Sequence, residues 1–393
     1  MGWRPAERAT TATAPNCPQP GGRGAGGLRQ GPQRGLVRGL LGLLLAVALA
    51  SGALLTAAGA ALAALPQGNA VKDPEAILRN ALPIQAPPLQ ELQHRLEATS
   101  DDLRSKRWSA LASTLRRCQT QLSSQRATML QAFPSAAQAQ ASALLDRLET
   151  QLQGVGEAAE NREREAFLEG RRDALRSIGA AEALLVTDFP FSIPAEFDAL
   201  PRLLGRATVK ISTTKGDLTA VVDGYNAPLT AGAFVDLVQR RFYDGLPFTR
   251  AEDFYVLQTG DPKGDAQGFV DPKSGQERQV PLEIRIVGDG EPIYNETFED
   301  IGRYKAEPVL PFATYGTLGW AHSDEQLDDG SSQFFFFLYE AELTPAGLNL
   351  VDGRNAAFGY VVEGFDVLEE LTVEDRIVGA KVLEGADNLQ AHG

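Results

Sequence analysis

The stretch of this 393-residue chain most able to do chemistry reads DDGSSQFFFFLYEAELTPAG, residues 328–347. If SSQFFFFLY is a strand, its side chains alternate between faces. Gln333, Phe335, Phe337 and Tyr339 then share one face, and Phe334, Phe336 and Leu338 the other. A glutamine followed by aromatic rings can line an apolar groove with one polar handle, as small-ligand sites do. A strand covered on both sides would give the same letters, and the pattern alone leaves the two open. Other arrangements are weaker. His322, Ser323 and Asp324 have the residue types of a hydrolase relay, but adjacent residues cannot form that relay without a special turn. The loop SDEQLDDG (323–330) carries four acids, but its spacing is not that of an EF-hand, so it reads as a solvated loop rather than a calcium site. His94, His322 and His392 are scattered, and no Cys/His spacing matches a zinc set. The helical region has no Glu-x-x-His pair. No metal and no cofactor is expected.

Positioning the aromatic run falls to the C-terminal half. From Arg206 the hydrophobic period changes from helical to alternating. ATVKISTTKGDLTAVVD has β-branched residues on both sides of Lys215-Gly216, a hairpin signal. APLTAGAFVDLVQRRFYDG (227–245) predicts an amphipathic helix through Ala233, Phe234, Leu237 and Phe242. FYVLQTGD, PLEIRIVG, GTLGWAHS, QFFFFLY, AAFGYVV and RIVGAKVLEG read as short strands between Gly/Asp/Pro loops. Many short strands with few helices predict a closed β-barrel or a sandwich, and closure removes exposed edges. The segment from Pro262 to Pro308 is long enough to cover a groove.

Residues 73–187 predict a helical bundle. Leu89, Leu92 and Leu96, then Trp108, Leu111, Leu115 and Leu122, then Leu144, Leu145, Leu148 and Leu152 recur at helical spacing. Pro134 separates two helical stretches, and Ser135 could cap the second. Gly154 and Gly156 mark a turn. About four antiparallel helices is the simplest packing. NREREAFLEGRRDALR (161–176) reads as a solvated face, with a docking surface for a partner as the alternative. Residues 188–205 follow as a linker, with Pro190, Pro194 and Pro201 punctuating it and Phe189, Phe191 and Phe197 packing it.

Residues 1–64 form a leader. Arg4, Arg8, Arg23, Arg29, Arg34 and Arg38 face one acid, Glu7, and no charge follows until Lys72. Arginines, then LLGLLLAVALASGALLTAAGAALAAL, then Ala61-Leu62-Ala63 follow the order of an export signal. The apolar run is also long enough for a membrane anchor. The Gly/Pro/Arg-rich residues before it fit a translation start near Val37. A net charge of -14 argues against nucleic acid, whose phosphates need Lys and Arg. It also argues against broad docking on anionic lipid, which leaves the leader, if retained, as the membrane contact. Cys17 lies in the leader and Cys118 in the body, so a processed chain has no internal disulfide.

FTRAEDFYVLQTGD (248–261), GTLGWAHS, SSQFFFFL and DGRNAAFGYVVEG, in that order, resemble the cyclophilin family of peptidyl-prolyl cis-trans isomerases. With its leader, helical region and acidic insertion, the chain is similar to multidomain cyclophilins of the thylakoid lumen in cyanobacteria and plants. The resemblance implies an α+β multidomain protein, a helical bundle followed by a closed eight-stranded β-barrel with capping helices over residues 206–388. It implies isomerisation of X-Pro bonds in proline-containing polypeptides, in the thylakoid lumen or periplasm. It also implies assistance to photosystem II, with the helical domain docking on that or another membrane complex. By motif position, Arg250 matches the donor arginine and Gln258 the groove glutamine that positions it. Gln333 and Phe335 match the glutamine and phenylalanine of the proline pocket. Tyr255 stands where the family usually has Phe, Val256 where it often has Met, and Ala321 matches a groove alanine. His322 replaces a common asparagine, Leu350 falls where a tryptophan is frequent, and Asn355 where a histidine usually lines the pocket. The losses at Leu350 and Asn355 bear on cyclosporin binding and on full activity. They set an isomerase beside an alternative, a scaffold that binds proline segments without turning them over efficiently.

Overall fold

Asp73 accepts a hydrogen bond from Glu75 N at 3.0 Å and Pro74 fills the first turn, so helix α1 (Pro74–Asn80) starts capped. It opens the described part of the computed structural model, residues 71–323, 325–339 and 351–391. The leader, Asp324, Leu350 and His392 lie outside the described residues. Among the described residues no helix is long and apolar enough to cross a membrane.

Helices α2 (Pro87–Glu97), α3 (Thr99–Arg104), α4 (Trp108–Gln131), α5 (Gln138–Asn161) and α6 (Arg164–Ala183) follow. The leucine stripe is their core: Leu92, Leu115, Leu148 and Leu152 are buried together with Phe167 and Ile178. Two local expectations fail. Gly154 and Gly156 do not mark a turn, because α5 runs through both. Gly156 instead permits close approach of α4: a Cβ there would stand 3.2 Å from Gln119 Nε2, which donates to Leu152 O at 3.0 Å. Ser135 is not the cap, because α5 starts only at Gln138, behind Ala137.

The C-terminal region contains β1 (Arg202–Leu203), β2 (Arg206–Thr213), β3 (Asp217–Asp223), α7 (Pro228–Gln239), β4 (Phe248–Glu252), β5 (Val256–Thr259), β6 (Glu283–Ile284), β7 (Ile293–Tyr294), β8 (Thr317–Trp320), β9 (Phe334–Phe337), β10 (Ala357–Glu363), α8 (Phe365–Glu369), β11 (Ile377–Glu384) and β12 (Leu389–Gln390). The hairpin at Lys215-Gly216 forms: Ser212 pairs with Asp217, and Gly216 takes φ +149°, which a side chain disfavours. PLEIRIVG contributes only β6, which pairs with β7 outside the main sheet. The main sheet is antiparallel and eight-stranded, in the order β11-β2-β3-β10-β8-β9-β5-β4. It curls without closing, so the closed barrel is corrected to a half-barrel. Among the described residues no ladder joins edge strands β11 and β4. Only an isolated bridge, Pro247 to Arg376, and bonds such as Phe248 N to Asp375 O at 3.2 Å hold their ends together. The physical reason lies in β4, whose residues Thr249 to Glu252 face solvent and whose charges blunt an open edge.

Helix α7 supports the sheet from behind. Expected to be amphipathic and to reach Phe242, it is buried from Pro228 to Val238 and ends at Gln239. The sheet covers one side, where Phe234 meets Phe334 at 5.1 Å and Phe358 at 5.2 Å. The chain around Glu283 and Arg278 covers the other. Glu283 accepts from Leu229 N at 3.0 Å and Thr230 N at 3.1 Å, satisfying donors left open at the helix start. Helix α1 couples the two regions. Ile77, Leu78 and Ala81 belong to the sheet's core. Asn226 Nδ2 donates to Ala81 O at 2.9 Å, and the Arg206 guanidinium donates to Leu78 O. On the opposite face of α1, Arg79 bridges to Glu97 of α2 at 3.1 Å.

Candidate active site

The four phenylalanines of β9 divide as a strand requires. Phe334 and Phe336 face the core, with Phe334 against Phe234 and Tyr243. Phe335 and Phe337 face outward, where Phe312 stacks on Phe335 (5.8 Å, 11°) and meets Phe337 edge-on at 5.4 Å. Both faces are buried, and Phe335 is only 7% exposed. Gly319, opposite Phe335, lets that ring lie flat. A Cβ at Gly319 would fall 2.3 Å from Phe335 Cζ and 2.8 Å from Phe312 Cε1, too close to either ring. Each ring buried in this way contributes roughly 1.5–3 kcal/mol, so the wall is firm.

Cross-strand register builds the rest. Arg250 stands opposite Gln258, Gln258 opposite Phe335, and Phe335 opposite Gly319, one row across β4, β5, β9 and β8. The next row sets Glu252 opposite Val256 and Val256 opposite Phe337. Gln258 Nε2 donates to Gln333 Oε1 at 2.8 Å, and Gln333 Nε2 donates to Gln267 O at 2.8 Å, so both amide planes are fixed. Arg250 turns along its own strand. Its Nε, at 2.7 Å, and Nη2, at 2.6 Å, both donate to Glu252 Oε1, with both side chains 50% exposed. Val256 is buried, while Tyr255 reaches solvent with its ring 6.1 Å from Phe337.

Beside the row lies a cleft of about 510 Å³, whose lining includes Gln258, Ala321, His322, Gln333, Asp265 and Glu277. Its arginine, Arg278, is already held by Asp236 at 2.6 Å, so the cleft favours neutral or cationic groups. The His322 ring nitrogens face Ser323 O (2.7 Å) and Arg354 O (2.9 Å), and they tie the cleft to the turn before β10. Arg250, Tyr255, Val256, Phe335 and Asn355 are not among its lining residues. Asn355 is half-buried in that turn, its N–H donating to Val351 O at 3.2 Å.

Glu252, Phe254, Phe312 and Gly319 shape this site without having stood out in the sequence. Glu252 had a usable signal, two residues from Arg250 on one strand face. Phe254 sits in the turn closed by Tyr255 N to Glu252 O (3.0 Å), with φ +60° and 82% exposure. Nothing in its letter marks that backbone. Phe312 reaches Phe335 from a loop that carries no periodic pattern.

The family described as cyclophilin type peptidyl-prolyl cis-trans isomerase/CLD matches residues 208–384, and the PsbQ-like domain described for CYP38-like peptidyl-prolyl cis-trans isomerases matches residues 73–186. This chain belongs to the cyclophilin-type peptidyl-prolyl cis-trans isomerases. A Synechocystis sp. protein, sll0408, named as a thylakoid lumen peptidyl-prolyl cis-trans isomerase, is 51% identical over 328 residues, covering 84% of this chain and 86% of that protein. The chloroplastic peptidyl-prolyl cis-trans isomerase CYP38 of Arabidopsis thaliana is 40% identical over 336 residues, 83% of this chain and 77% of that protein. A solved Cryptosporidium parvum cyclophilin, crystallised with the dipeptide Ala-Pro, is 21% identical and covers 45% of this chain and 99% of its own, with a TM-score of 0.32.

Proposed function

We propose that this chain catalyses cis-trans isomerisation of X-Pro bonds in polypeptides, with Arg250 as donor and Phe335, Val256 and Tyr255 seating the prolyl ring. The observation that carries this reading is the row in which Arg250, Gln258 and Phe335 stand opposite one another on adjacent strands. Amide resonance sets a rotation barrier of ~18–20 kcal/mol. As the bond twists, resonance is lost and the proline nitrogen regains its lone pair. A guanidinium donating to that nitrogen binds the twisted amide better than either planar form, as catalysis requires. Held in place beforehand, such a donor supplies several kcal/mol. The Gln258–Gln333 pair presents fixed amide dipoles to the peptide backbone, and Ala321 and His322 border the space for flanking residues. Leu350 and Asn355 are assigned to the pocket on motif position alone. No covalent bond forms or breaks.

The name of the Synechocystis relative supports a thylakoid-lumen location, and the Arabidopsis relative is named as chloroplastic. On this reading the helical region, residues 73–187, is a domain joined by residues 188–205 to an isomerase domain, residues 206–388. The helical domain docks on photosystem II or another membrane complex while the sheet works on proline-containing segments. The scaffold reading keeps one support, the low exposure of Phe335 beneath Phe312. Isomerisation of an unstructured X-Pro peptide by the full chain separates the two. Arg250→Ala is expected to lower kcat/KM by at least about tenfold while peptide binding, followed by NMR, persists. Unchanged turnover in that variant would refute the donor assignment. Peptide binding without turnover in the unaltered protein would favour the scaffold.

A further inference from the structure

We infer that Glu252 gates the donor: its carboxylate holds the Arg250 guanidinium out of the isomerisation row, and a bound X-Pro amide must displace it. This rests on the isomerase reading above. Residues two apart in a strand share a face, so Arg250 and Glu252 project together from edge strand β4. Arg250 stands in the row of Gln258 and Phe335, whereas Glu252 stands one row away, with Val256 and Phe337. The amide opposite Arg250 is turned to another partner, Gln258 Nε2 donating to Gln333 at 2.8 Å, while Arg250 donates to Glu252. The Arg250 side chain therefore lies along β4 toward Glu252. The turn fixes the backbone of Glu252 there, through Glu252 opposite Val256 and Tyr255 N donating to Glu252 O at 3.0 Å, so the carboxylate starts within reach of Arg250.

The grip suits exchange. Both guanidinium bonds converge on one oxygen, Oε1, at 2.7 and 2.6 Å, rather than spanning the carboxylate fork-on-fork. Both side chains are half-exposed, so the pair is weak enough to open. While closed it directs two of the five guanidinium N–H groups at an anion and offsets the charge offered to the proline nitrogen. A ground-state peptide does not need the donor. The twisted amide does, so the gate acts on kcat more than on KM.

The test compares X-Pro isomerisation by the full chain in its native form and as Arg250→Ala, Glu252→Gln and Glu252→Ala. Both Glu252 variants should raise kcat, by up to about fivefold, the upper end for an exposed ion pair, with KM unchanged. Native turnover should rise with ionic strength as salt screens the pair, and the Glu252 variants should be flat. A fall or no change in kcat, or the same salt response in Glu252→Gln as in the native protein, overturns the gate. Arg250→Ala separates the two levels. If it keeps full turnover, the donor assignment fails and the gate with it. If it loses turnover while Glu252→Gln gains none, the donor stands and the gate alone fails.

Discussion

Phe254 is an aromatic residue in a backbone conformation that glycine adopts freely. Its φ of +60° costs on the order of 1–3 kcal/mol, and with 82% of its surface exposed it recovers little by burial. Phe254→Gly should therefore be no less stable than the native protein, within about 1 kcal/mol, although glycine adds unfolded-state entropy. Urea unfolding measures this, and a loss well beyond that value would show that the ring makes a contact worth more than the strain. Gly319 presents the opposite case. Gly319→Ala drives a methyl into the Phe335 ring, which Phe312 and Phe337 hem in on the same face. Overpacking of this kind costs about 1–3 kcal/mol, and the displaced Phe335 should lower turnover as well. Equal stability and turnover would mean that the wall yields more easily than its packing suggests. The face carrying Gln333 and Phe335 was legible because strand alternation is geometric. The covering ring of Phe312 and the Arg250–Glu252 pair were not, since each depends on where a loop or a rotamer comes to rest.

Elements were legible where their period was long. The leucine stripe marked α2, α4 and α5, but glycine misled inside α5, where close packing against α4 offsets its poor propensity. Closure of the sheet was misjudged because strand count does not say whether the last edge finds its partner. Helix α6 carries a feature that only packing reveals. Glu182 is fully buried, with neither carboxylate oxygen hydrogen-bonded, and burial pushes its carboxyl up to about 8 against the pull of Arg79 and Arg206. Its folded value lies above the ordinary carboxylate value of 4.5, so the folded state binds its proton more tightly. Stability from this group is complete below about pH 4.5 and is lost as pH rises toward 8. Glu283, raised to about 7 by burial, acts with the same sign. The unfolding free energy should fall by a few kcal/mol across this window, on the order set by these shifts. Glu182→Gln should flatten most of the slope and leave the part due to Glu283. A slope identical to that of the native protein would show that Glu182 is already charged in the fold.

At the scale of the whole molecule, the switch from helical to alternating period announced two regions, while the device that joins them was hidden. Helix α1 has only seven residues, too few for a periodic window. Yet Ile77, Leu78 and Ala81 sit in the sheet's core while Arg79 reaches Glu97 and the first turn reaches α6 through Glu75 and Arg176 at 2.9 Å. Helix α1 therefore belongs to the sheet's core and is tied to the helical region by ion pairs, and the described residues fall within a single compact unit. Such a tie predicts coupled unfolding, because parting the regions would leave Arg79, whose side chain is 6% exposed, without its partner Glu97. Leu78→Ala removes a buried side chain at the junction and should cost about 2–5 kcal/mol. The loss should fall on the coupling as well as on the total. Native hydrogen exchange should show the slowest amides of α5 and of β9 opening together, whereas in Leu78→Ala the two sets should separate. If they remain together at the lower stability, the joint is wider than α1 and the rest of the interface holds the regions as one. If they are already separate in the native protein, the helical region moves independently of the sheet, and α1 is an appendage of the sheet's core rather than a clasp.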